Sequence, residues 1–198
     1  MSNYAQIQGG ARSRTSNRWD TKQLVTMALM AALAIVLSFG ETLVIPGVSF
    51  LKLDVALVPA TVVGFAYGAG PGMMVAIVYI VAHAAITSNW VGALMNAIVA
   101  LSYIVPAALI YKRNHTFKGG IIALVVGSLC LIVGAIIANL IIDPIFYFMP
   151  FDTVVGYIVP AFIPFNVIKS VVVSVLVGLV YKAISNFITP EKSQVKGR

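Results

Sequence analysis

Long apolar stretches alternate with short charged or glycine-rich punctuation along this chain, and the punctuation counts the elements. No Asp, Glu, Lys or Arg occurs between Lys22 and Glu41, between Asp54 and Lys112, or between Lys118 and Asp143. From Asp152 to Lys182 only Lys169 interrupts. A helix needs roughly 20 apolar residues to cross the hydrocarbon core of a bilayer, so the first, third and fourth stretches each hold one crossing. The stretch 55–111 is too long for one, and it is divided by Gly68-Ala69-Gly70-Pro71-Gly72 and by Thr87-Ser88-Asn89, both turn-forming clusters. The pattern therefore predicts six helices, over 22–40, 55–69, 72–87, 91–111, 119–142 and 160–187. This is an all-α membrane protein, a six-transmembrane-helix bundle.

Composition agrees. Of 198 residues, 60% are hydrophobic and 10% charged, against about 25% charged in a soluble domain. The formal charge of +7 would suit a nucleic-acid partner, but its distribution argues otherwise. Eleven of the thirteen Lys and Arg fall in the N-terminal tail (Arg12, Arg14, Arg18, Lys22), the fourth-to-fifth connection (Lys112, Arg113, Lys118) and the C-terminal end (Lys182, Lys192, Lys196, Arg198). With six crossings all three lie on one side, which the positive-inside rule makes cytoplasmic. Both termini are then cytoplasmic, Glu41, Asp54, Asp143 and Asp152 fall on the opposite side, and no nucleic-acid role is expected.

The expected organisation is a poorly ordered basic tail over 1–19, one membrane domain over 20–188 and a basic cytoplasmic tail over 189–198. The first apolar segment is longer than a signal-peptide core and lacks a convincing cleavage site, so it is read as a retained helix. Two connections on the outer side, 41–54 and 143–159, are long and rich in proline and apolar residues, and they are expected to fold over a cavity as lids. Cys130 is alone and mid-span, which leaves no disulfide framework.

Lys169 is the strongest chemical signal. A cation inside a spanning segment is costly by about 2.5–3.5 kcal/mol and by default marks a site. Asn166 lies on the same helical face three residues earlier. Asn96 and Asn139 sit towards the outer ends of the fourth and fifth helices, so four polar groups share one depth. The alternatives are interhelical hydrogen bonding for the asparagines and snorkelling to the interface for Lys169. Ala28 and Ala32, one turn apart on the first helix, make a small-residue face for close helix approach, either with a partner or within the bundle. His83 is read as a satisfied hydrogen-bonding residue. Phosphate-binding loops, H-E-x-x-H and G-x-S-x-G are absent from the chain, so no enzyme is expected. Acids inside the spans are missing too. The chain has a pocket but no engine of its own.

These residues resemble a known family. Ala28-x-x-x-Ala32, Phe50-Leu51-Lys52-Leu53-Asp54 with Pro59, Gly92-x-x-x-Asn96, Asn139 followed by Pro144 and Tyr147, and Pro164-Phe165-Asn166-Val167-Ile168-Lys169 are similar to the S components of energy-coupling factor (ECF) vitamin transporters, riboflavin type. The resemblance implies a plasma-membrane subunit that captures riboflavin at the outer face. It also implies an Ala28/Ala32 face that docks on a transmembrane coupling protein driven by two cytosolic ATPase subunits. Asn139, Asn166 and Lys169 would contact the flavin, with Asn96 nearby and Phe50 or Tyr147 over the ring. Riboflavin is then the transported ligand, and no cofactor is expected. An S component for another vitamin, such as pantothenate or folate, and a stand-alone facilitator are the alternatives.

Overall fold

The computed structural model describes residues 19–45 and 51–188; both terminal tails and Phe50 lie outside the described residues. The elements are α1 (Thr21–Ser38), β1 (Thr42–Leu43), β2 (Lys52–Leu53), α2 (Leu57–Tyr67), α3 (Ala69–Thr87), α4 (Trp90–Arg113), α5 (Phe117–Phe146), α6 (Phe151–Tyr157), a π-helical turn (Ile158–Phe162) and α7 (Ile163–Ile188). Both predicted breaks are present, but the first narrows to Gly68, since Ala69–Gly72 already belong to α3. Gly68 turns the chain between α2 and α3 at φ 100°, a conformation glycine reaches without strain. Ser88 in the left-handed region and Asn89, whose side chain accepts from Gly92 N, separate α3 from α4.

Five helical segments are long and apolar enough to cross a membrane: Thr21–Ser38, Ala69–Thr87, Trp90–Arg113, Phe117–Phe146 and Phe151–Val180. The remaining predicted helix, α2, has only 11 residues. At 1.5 Å per residue it is about 16 Å long. It is also the most enclosed, with every residue from Leu57 to Phe65 buried among α1, α3, α4 and α7.

The bundle is built inside-out relative to a soluble protein. Along α5 a buried stripe spaced by four runs through Gly119, Ala123, Gly127, Leu131, Ala135, Asn139 and Asp143, mostly small residues, with Ala138 and Ile142 buried beside its far end. The large aliphatics Ile121, Val125, Leu129, Val133, Ile137, Ile141 and Ile145 are exposed. Lipid tails satisfy the outward side chains, and small inward residues let backbones approach, which is how helices associate without a hydrophobic drive between them. Gly72 shows how close the approach is: a Cβ there would lie 2.7 Å from Gly64 Cα and 2.9 Å from Gly64 N. Gly72→Ala is therefore expected to destabilise the protein by about 1–3 kcal/mol, an overpacking cost, read as a lowered melting temperature in detergent. An unchanged melt would mean that α2 and α3 can separate freely. Polar ties also cross the bundle. Tyr103 Oη and Ser174 Oγ are 2.8 Å apart, and Ser128 Oγ is 3.1 Å from the same Ser174 oxygen, linking α4, α5 and α7.

One expectation is corrected. The segment 143–159 is not a long outer loop. Helix α5 runs through Pro144 to Phe146, and the chain is helical again from Phe151. Proline is tolerated inside membrane helices because neighbouring groups re-satisfy the freed backbone, and Pro150 is preset for the extended N-cap geometry it adopts (φ −56°, ψ 136°). The π turn contains Pro160; a wider turn absorbs a missing N–H and the ring's clash with the preceding turn. It connects α6 to the Pro164-Phe165-Asn166 start of α7. The other connection, 41–54, forms a short hairpin in which Thr42 pairs with Leu53 and Leu43 with Lys52. Leu51 of this hairpin packs in a small cluster with Val154, Ala161, Phe162 and Phe165.

Candidate functional site

A cavity of about 220 Å³ opens at the hairpin end of the bundle. Four elements supply its walls. The hairpin gives Glu41, Leu51, Lys52 and Asp54; α4 gives Gly92, Met95, Asn96 and Val99; α5 and its C-cap give Ala135, Asn139, Asp143 and Tyr147; α7 gives Phe165, Asn166 and Lys169. Helical spacing explains these sets. Positions 135, 139, 143 and 147 step by one turn along α5, and 166 and 169 share a face of α7.

The structure brings Asn96, Asn139, Asn166, Lys169 and Tyr147 to this one cavity. Lys169 does not snorkel. It is 4% exposed, and its Nζ donates to Asp54 Oδ2 and to Asn96 Oδ1, each at 3.4 Å. Asp54 is itself fixed, its Oδ1 accepting from Ala56 N at 2.9 Å just before α2. Both Lys169 contacts are long for N–H···O hydrogen bonds. The charge is balanced while the ammonium donors remain slack, so an incoming acceptor can recruit one with little loss.

Asn139 and Asn166 use one local device. Asn139 Nδ2 donates to Ala135 O at 2.7 Å, and Asn166 Nδ2 donates to Phe162 O at 2.8 Å. Each amide is locked by the carbonyl four residues back, that of Ala135 within α5 and that of Phe162 at the end of the π turn that leads into α7, rather than bridging to a distant helix. The lock orients the amide, and Asn139 Oδ1 has no hydrogen-bond partner among the described residues.

Two acids depart from the sequence expectation. Asp143 is expected in an outer connection and the spans are expected to lack acids, but Asp143 is helical; Asp54 lies in the 41–54 connection as expected, but is turned into the interior. Asp54 is 7% and Asp143 1% exposed; both line the cavity, and Asp143 lies within α5. The signal that locates Asp143 is the size pattern, since the four-spaced small stripe of α5 runs on through Asn139 to Asp143. For Asp54 the linear pattern carries no such signal, because only the hairpin folds it back over α7.

Glu41 joins the hairpin to the helices. Its carboxylate meets Lys52 Nζ at 2.7 Å and His83 Nε2 at 3.2 Å, and His83 Nδ1 lies 2.9 Å from Ser38 Oγ. His83 is thus hydrogen-bonded, and among the described residues no group of three His, Cys, Asp or Glu could hold a metal ion. Ala28 and Ala32 lie elsewhere, on the exposed face of α1; its buried positions are Met27, Ala31, Ala34 and Ser38. They do not pack within the bundle. Phe50 falls outside the described residues.

Residues 22–181 match the family described as ECF transporter, substrate-specific component. The chain is 28% identical to a riboflavin transporter, RibU, of Staphylococcus aureus (strain TCH60), over 88% of this chain and 96% of the relative. It is 26% identical to a riboflavin transporter, FmnP, of Bacillus subtilis (strain 168), over 87% and 96% respectively. Its fold is similar to a solved structure described as the S component of a bacterial ECF transporter, with a TM-score of 0.75 at 28% identity, covering 85% of this chain and 98% of the other.

Proposed function

We propose that this chain, which belongs to the substrate-specific components of ECF transporters, captures riboflavin in its outer cavity and hands it inward through partner subunits that supply the energy. A subunit of this family is a multi-pass plasma-membrane transport protein and not an enzyme. The observation that carries the substrate reading is the buried Lys169 with Asn96, Asn139 and Asn166 around one cavity, in a chain whose relatives are named riboflavin transporters.

The chemistry fits a flavin. An isoalloxazine has an apolar dimethylbenzene end and a pyrimidine edge of alternating carbonyls and N–H. Locked amides on α5 and α7 read that edge, and Lys169 donates to a carbonyl or ring nitrogen. Leu51, Met95, Val99 and Phe165 furnish apolar wall, and Tyr147 on the same wall covers the ring plane. The cavity holds three acids and two lysines, so it suits a neutral vitamin better than an anionic one such as folate.

The chain crosses six times with both termini cytoplasmic, α2 making the sixth passage. Its enclosure by four helices supports this, since a helix hidden from lipid does not have to match the bilayer thickness. Residues 20–188 form the binding domain, flanked by the basic tails 1–19 and 189–198. Transport needs the coupling protein and its two ATPases, because past the cavity the bundle is closed by fully buried Tyr103, Ile104, Leu131, Val173 and Val177. Riboflavin titrated into purified protein is expected to lose its fluorescence with a Kd below about 1 μM, some −8 kcal/mol. Folded protein that leaves the fluorescence unchanged would refute the substrate.

A further inference from the structure

Asp143 is the one acid of the cavity that the arrangement above does not use. Its side chain is buried at 1% exposure, yet neither carboxylate oxygen has a hydrogen-bond partner among the described residues. Glu41 has Lys52, and Asp54 has Lys169; no cation among the described residues pairs with Asp143. One turn back on the same face, Asn139 Oδ1 is also without a partner. Two residues of one cavity wall, Asn139 and Asp143, therefore carry three buried acceptor atoms that no donor among the described residues meets. Burying such groups unpaired is costly, and the cost is recovered when a ligand brings the donors.

The acceptor set defines what the ligand must present. An ionised carboxylate only accepts, and its two oxygens receive two donors side by side. A ring imide offers one N–H flanked by two carbonyls, which would set acceptor against acceptor. Two hydroxyls on adjacent carbons offer the matching pair. Asp143 also sits one turn nearer the 147–150 connection than Asn139, beyond the amides assigned to the ring edge.

We propose that Asp143 is a specificity-determining residue whose carboxylate accepts hydrogen bonds from two adjacent hydroxyls of the ligand's polyol chain. This deepens the riboflavin reading and rests on it.

The test compares riboflavin with lumiflavin, the same ring system bearing a methyl group in place of the hydroxylated chain, on wild-type protein and on Asp143→Ala and Asp143→Asn. Asp143→Ala is expected to weaken riboflavin binding by about 10- to 100-fold, the range for lost charge-assisted hydrogen bonds, while lumiflavin affinity stays within about twofold. Asp143→Asn, which keeps one acceptor, falls between. Because the carboxylate has no partner to lose, the ligand-free melting temperature of either variant is expected to hold or rise, which a merely structural aspartate would not allow. Should Asp143→Ala fail to fold, the near-isosteric Asn variant carries the comparison. Equal losses for both flavins, or an unchanged riboflavin affinity, overturn the role of Asp143. Wild-type protein that binds neither flavin overturns the riboflavin reading and this proposal together, and that result is distinct from the other two.

Discussion

Lys169→Ala is expected to abolish riboflavin capture and to destabilise the ligand-free protein by about 3 kcal/mol, the lower end of the penalty for breaking a buried ion pair. The lower end applies because the pair is loose, at 3.4 Å, and borders a cavity. The two effects have separate causes. Loss of capture follows from removing the buried cation that, on the proposed reading, donates to the ring edge. Loss of stability follows from leaving Asp54, fixed by Ala56 N, with no counter-charge. A double variant, Asp54→Asn with Lys169→Met, separates them: it is expected to recover most of the melting temperature and none of the binding. Fluorescence titration and thermal melting of the same preparations check both. A folded Lys169→Ala protein with unaltered affinity would remove Lys169 from the site.

Replacing Ala28 and Ala32 together by tryptophan is expected to give the opposite profile. Both lie on the exposed face of α1, away from the cavity, so flavin binding should be retained. Uptake should fall by at least about tenfold, the factor that 1.4 kcal/mol of lost interface energy produces, because two indoles prevent close approach by a partner helix. Riboflavin uptake in cells, with co-purification of the partner subunits, checks this. Retained assembly with lost binding would contradict the separation of the two faces.

Much of this was legible in the chain, for reasons that differ by residue. Lys169 is visible because charge is so rare in the spans that one lysine stands alone, and Asn166 is legible with it through helical spacing. The breaks at Gly68 and at Ser88-Asn89 are written in residues that few other positions tolerate. Hydrophobic periodicity was far less useful. When both the lipid face and the interior of a helix are apolar, polarity no longer marks the inside, and residue size takes its place. That is why polarity alone places Asp143 in an outer loop: Pro144 and the aromatics after it resemble a connection, whereas the stripe from Gly119 to Asn139 continues through it as helix. Asp54 was hidden for another reason. Its partner is Lys169, and no local pattern reports so distant a pairing. Phe50 remains an expectation from family resemblance.

Helix α2 stops short, and the position of that stop has a further meaning. The cavity begins at Asp54, three residues ahead of Leu57, where α2 starts. A hydrocarbon core of about 30 Å is nearly twice the length of α2. The ligand space therefore lies beside the start of α2, beneath the hairpin, rather than beyond a full-length helix. Ligand size in such a scaffold is set in residues of helix, at 1.5 Å each. One added turn at the head of α2 would consume about 5 Å of depth and one removed turn would release as much, with the surrounding helices left in place. A single helix terminus is thus the dimension along which this architecture can be refitted to smaller or larger molecules.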